Sequence, residues 1–132
     1  MIKSEEIPGR FKEALPAFTL QIDKVIEEFG SSTPYNLVDV LFAMIVQGLR
    51  TFPDTAYLAQ AFFDTCELMI WQGDEHVFTI VATQAIHPVA LETVHDVKLE
   101  RFLGPRSKNE LRMHMEGMDR DAGFDREGSP SR

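Results

Sequence analysis

From Tyr35 to Phe52 the chain reads as a helix with almost no polar face. Leu37, Val38, Val40, Leu41, Phe42, Ala43, Met44, Ile45, Val46 and Leu49 are distributed nearly all round it. Such a helix is stable at the centre of a fold or inside an oligomer interface, because elsewhere it would meet water. Ser31-Ser32-Thr33-Pro34 supplies its start: hydroxyl caps followed by a proline, which the first turn tolerates. At 132 residues the chain is long enough for one domain with one core, so the flanking segments must provide the cover.

Those segments carry helical spacing. Between Arg10 and Phe29, the residues Leu15, Phe18, Ile22, Val25, Ile26 and Phe29 form one apolar stripe. Pro16 falls inside this stretch, so the strong helix is expected to begin near it, and Gly30 suits a left-handed C-cap. Pro53-Asp54 ends the central helix and opens another, with Asp54 as the expected N-cap. Tyr57, Leu58, Ala61, Phe62, Thr65, Leu68 and Met69 then follow at helical spacing.

Residues 66–82 admit two readings. In one, Gly73 ends a helix and Asp74 caps a new one running to Ala85. In the other, Cys66–Trp71 and His76–Val81 are strands joined by Gln72-Gly73-Asp74-Glu75. The β-branched run Val77, Thr79, Ile80 and Val81 favours the hairpin. Beyond the break at His87-Pro88, Leu91, Val94 and Val97 suit a helix ending near Gly104-Pro105. Ser107-Lys108-Asn109-Glu110 reads as a capping box for a last short helix, with Leu111, Met115 and Met118 on one side. The expected fold is therefore mainly α, a small domain of about four or five helices, or α+β if the hairpin at 66–82 forms. Residues 1–9 read as an N-terminal arm and 10–118 as the globular domain. Residues 119–132, whose one large apolar side chain is Phe124, read as a flexible tail.

The formal charge is −8, and its distribution is uneven. No Lys or Arg occurs between Thr51 and Val97, where Asp54, Asp64, Glu67, Asp74, Glu75, Glu92 and Asp96 stand. A short basic stretch follows: Lys98, Arg101, Arg106, Lys108 and Arg112, with Glu100 and Glu110 among them. The acidic balance argues against direct nucleic-acid binding or a coat on an anionic membrane, since both need clustered cations. The longest apolar run, Val40 to Val46, is far short of a membrane span. Residues 2–11 are too charged for a secretory leader, and a single cysteine builds no disulfide framework, so the expected location is cytoplasmic.

Candidate chemistry is sparse. His76, His87, His95 and His114 include no pair at the four-residue spacing of a helical zinc site, so neither a metal nor another cofactor is expected. Met113-His114-Met115 with Met118 has soft-metal donor types, but the methionines suit apolar contact with a partner better. Cys66 lies among Phe62, Phe63, Leu68 and Met69, the surroundings of an inert core thiol.

Three functions remain open. The first is a non-enzymatic protein-interaction role (adaptor, inhibitor, assembly chaperone or small structural subunit), using an acidic surface and an apolar helix. Its expected contacts are Asp64, Glu67, Asp74, Glu75, Met115 and Met118, its expected partner has a basic surface, and self-association into a homo-oligomer is expected. The second is an acidic mimic of nucleic acid that blocks a nucleic-acid-binding protein. The third is a small enzyme with a site near Cys66, His76 and His87, which requires those three side chains to converge.

Overall fold

The computed structural model describes residues 1–126, with side chains to Met118. Among the described residues six α-helices carry the fold: α1 (Ile7–Ala14), α2 (Thr19–Phe29), α3 (Thr33–Thr51), α4 (Ala56–Gln72), α5 (Glu75–Val81) and α6 (Pro105–Arg126). A π turn, Ala82–Ile86, extends α5, and three 3-10 turns then lead to α6.

α3 is the central element. It packs against α2, α4, α5 and the π turn. Leu37, Val38, Leu41, Phe42, Ile45, Val46 and Leu49 are all buried within the one chain. Of the two places open to an all-round apolar helix, α3 takes the centre of the fold, with only the side bearing Ala43 and Met44 left partly open. Aromatic rings tie its neighbours together. Phe11 of α1 stacks on Phe62 of α4, with centroids 5.3 Å apart. Phe63 meets Phe62 and Phe42 edge-on and lies parallel to Phe102.

The stripe from Arg10 to Phe29 is two helices, not one. Leu15 leaves the helical region at φ −131°, and Pro16–Phe18 forms a 3-10 turn before α2 begins. Proline removes a backbone donor and obstructs the preceding turn, so the chain bends there and Leu15 still reaches the core. Gly30 ends α2 at φ 54°, a conformation that side chains disfavour, although its ψ of −120° lies outside the left-handed helical basin.

The hairpin at 66–82 does not form. α4 continues through Gln72, and α5 begins after Asp74, whose Oδ1 accepts the Val77 N–H at 2.9 Å. Val77, Ile80 and Val81 are all buried, and burial of that face together with the cap outweighs the β preference of the run. The helix expected between Pro88 and Gly104 is also replaced, by the 3-10 turns His87–Ala90, Glu92–Val97 and Leu99–Phe102. Lys98 separates the last two at φ 52°. The expected α4 cap at Asp54 moves one residue, to Thr55, with Asp54 in the 3-10 turn Pro53–Thr55.

Residues 1–9, read as an arm, are docked. Ile2 is 3 % exposed. Its N–H donates to Gln72 O at 2.7 Å, and its carbonyl accepts the Asp74 N–H at 3.0 Å. The first residues thereby fill the gap where α4 gives way to α5. In the region read as a tail, the α6 backbone runs to Arg126, and residues 127–132 lie outside the described residues.

Candidate functional site

One side of α3 is left partly open. Asp39, Ala43 and Gln47 follow at four-residue spacing and are exposed, and Met44 beside them is only half covered. A groove of about 470 Å³ runs along this side, with Phe18, Met44, Ile45, Gly48, Phe52 and Leu58 among its walls. Local chemistry sets each wall. The turn after Pro16 presents Phe18, whose N–H donates to Leu15 O at 2.9 Å. Phe52 leaves α3 at φ −134°, and its carbonyl is held by the Thr55 hydroxyl at 2.7 Å. That geometry leaves the Phe52 ring 60 % exposed, and Tyr57 in the first turn of α4 is 70 % exposed. Among the described residues no charged side chain lines the groove, but its surroundings are acidic. Asp39 lies one turn before Ala43, and Asp54 lies between Phe52 and Thr55. Both are exposed, and neither forms an ion pair among the described residues. The nearby cation Arg50 is held by Asp96, at 2.8 and 3.0 Å.

The residues singled out from the sequence are dispersed. Asp64 is exposed on α4 and accepts from Gln60 Nε2 at 2.8 Å. Glu67 is turned inward to the start of α6, where its Oε1 accepts both the Ser107 N–H (2.9 Å) and the Ser107 hydroxyl (2.8 Å). Asp74 caps α5 and lies 3.8 Å from Lys3 Nζ. Glu75 is exposed in the first turn of α5, and Met115 and Met118 are exposed on α6. Two of the four carboxylates are thus committed to helix ends within the molecule, which weakens the case for a phosphate-like array.

The three residues of the enzyme reading have separate surroundings. Cys66 is fully buried, and desolvation pushes its thiol far above the ordinary range, so the reactive thiolate is suppressed. His76 is exposed and meets Tyr35 edge-on at 6.0 Å. His87 lies against α6, 2.7 Å from Glu110 Oε2 and stacked on His114. No hydrogen bond or ring contact joins these three among the described residues. No group of three His, Cys, Asp or Glu is placed to hold a metal ion among them either. No helix among the described residues is long and apolar enough to cross a membrane.

Set beside known families, curated proteins and solved structures, the chain matches none. The groove was not singled out in the sequence because Phe18 and Phe52 sit at core-like positions in the apolar pattern. Each lies within two residues of a proline, Pro16 or Pro53, where the chain bends between helices.

Proposed function

We propose that this protein is a non-enzymatic binding module of the cytosol whose groove along α3 takes an amphipathic helix of a basic protein partner. The carrying observation is the apolar channel walled by Phe18, Met44, Phe52 and Leu58, with an exposed phenylalanine at its rim. Helix-in-groove recognition uses apolar anchors at three- and four-residue spacing, and a channel of this kind suits one or two such side chains. Charge chooses the partner. Asp39 and Asp54 flank the groove without a cation of their own, and the chain is acidic overall. An incoming helix that pairs its anchors with lysine or arginine gains at both points, and an acidic helix is repelled. The same charge opposes a second copy of this chain as occupant.

The test is fluorescence anisotropy with a labelled amphipathic peptide of leucine and lysine, beside a leucine–glutamate peptide of identical pattern. The expected result is binding of the basic peptide alone, weakened about tenfold by Phe52→Ser or Met44→Gln and reduced by salt. Equal binding of both peptides would remove the charge argument. Binding of neither would overturn the reading, and so would a sedimentation mass that rises with concentration and returns to the monomer in Phe52→Ser, since a second copy would then be the occupant.

A further inference from the structure

The middle of α6 is held to the rest of the molecule by ionisable side chains as well as apolar ones. His87 opens the 3-10 turn His87–Ala90, and its Nε2 lies 2.7 Å from Glu110 Oε2 on α6. One helical turn after Glu110, the His114 ring lies flat on the His87 ring, with centroids 3.9 Å apart and planes within 4°. Leu111, between them in sequence, is buried in the core. The His87 and Glu110 side chains are only 24 % and 19 % exposed, so water screens the cluster poorly.

The charges around the cluster are few. The π turn Ala82–Ile86 has no ionisable side chain. α4 brings Glu67, which is bound to Ser107 and Arg106 at the start of α6. α5 brings Glu75 and His76, both exposed. The turn Glu92–Val97 brings exposed Glu92 and His95, and Asp96, which Arg50 holds. On α6 itself, Lys108, Arg112 and Glu116 are exposed, and the last two pair with each other at 2.8 Å. Among the described residues, Glu110 is therefore the one carboxylate paired with an imidazole of the stack.

One carboxylate can balance one imidazolium. Two imidazolium rings stacked face to face leave one positive charge unbalanced in a partly buried seam, and they repel across the stack. We propose that His87, His114 and Glu110 form a proton-operated latch, which holds α6 against the Ala82–Ala90 segment at neutral pH and releases it on acidification. Burial and the neighbouring His87 lower the proton affinity of His114, and Glu110 only partly opposes them. A histidine that binds its proton less readily when docked than when free stabilises the docked state fully above its ordinary pKa of about 6.5 and progressively less below it. Release would uncover Leu111 and free the methionine-bearing face of α6.

A reporter is built in. The one tryptophan, Trp71, has the Arg106 guanidinium of α6 4.9 Å above its ring. The experiment follows Trp71 emission and far-UV circular dichroism of the full chain from about pH 8 to about pH 3, across the histidine range and then the carboxylate range. The wild type is expected to show a reversible change centred in that range. His114→Phe, which keeps a stacked ring without a second proton site, is expected to lose it, and Glu110→Gln is expected to move it toward neutrality. Histidine ring titrations of the wild type by NMR give a readout that needs no variant: amide shifts of residues 107–118 should move together with His114. The proposal is overturned if His114→Phe keeps the wild-type transition, if the first transition appears only as carboxylates titrate, or if His114 titrates while those amides stay still.

Discussion

Glu67 Oε1 accepts two hydrogen bonds from one residue, Ser107, which lies forty positions later in the chain. Glu67 Oε2 also accepts the Arg106 N–H at 3.1 Å. A side chain of α4 thus satisfies the free backbone donors at the start of α6, where the dipole favours an anion. The Ser107–Glu110 pattern reads as a capping box in the sequence, but Ser107 already lies inside α6 and Glu110 turns to His87. The cap of this helix comes from another helix.

Removing that cap should loosen α6. Glu67→Ala leaves the Ser107 N–H and hydroxyl buried without a partner, and a loss of about 1–3 kcal/mol in denaturant unfolding is expected. Burial by itself raises the Glu67 proton affinity, but the bonds from Ser107 and Arg106 outweigh it, so its pKa lies below the ordinary value. A carboxyl with a lowered folded pKa contributes its full stability above the ordinary value of about 4.3 and loses it as pH falls through the folded pKa. Between neutral pH and that acid range, the gap in stability between wild type and Glu67→Ala should therefore narrow on acidification, as urea melts across the range would record.

Gly104 is the residue that lets Glu67 approach. A methyl group there would stand 2.5 Å from Glu67 Cδ. Gly104→Ala should destabilise the fold by about 1–2 kcal/mol through displacement of the carboxylate. In a Glu67→Ala background the same substitution should have far less effect. A double-mutant cycle measures the coupling, and additive losses would contradict the contact.

Asp74 is the second cap, and its removal tests why residues 75–81 are helical. The Val77 N–H is the main influence holding the Asp74 carboxyl below its ordinary pKa, and Lys3 adds a smaller pull. Asp74→Ala should lower the thermal midpoint at neutral pH, where the carboxylate is charged. The difference from wild type should shrink as pH falls through the carboxylate range. Asp74→Asn, which can still accept the bond, should retain most of the wild-type midpoint.

Cys66 should be silent in the native protein. It is fully buried and its thiol is held protonated, so an aromatic disulfide reagent should label it only as fast as the chain unfolds. Labelling within seconds in native buffer would mean that the core around Phe62 and Phe63 opens readily.

Much of this architecture is legible in the sequence, and the departures share a cause. The central helix is legible because Leu37 to Leu49 has almost no polar face to expose, Asp39 and Gln47 apart. Asp74 is legible as a cap, but the β-branched run behind it favours a strand until burial of Val77, Ile80 and Val81 is known. The segment 88–104 misleads because Leu91, Val94 and Val97 have helical spacing, yet Leu91 is exposed and Lys98 interrupts the segment in the left-handed conformation. Long-range contacts are wholly hidden: nothing near Glu67 in sequence points to Ser107, and nothing near His87 points to His114. For the same reason, charge density singled out Glu67 and Asp74 as surface residues when both serve helix ends.

The docking of Ile2 between Gln72 and Asp74 also bears on the order in which the molecule can assemble. Ile2 and its neighbours have no place to pair until α4 is complete and α5 has begun. During synthesis they must wait beside a growing chain that already includes the apolar α3. Docking of Ile2 therefore follows the α4–α5 corner in time, and a nascent chain halted before Gln72 would leave Ile2 uncovered.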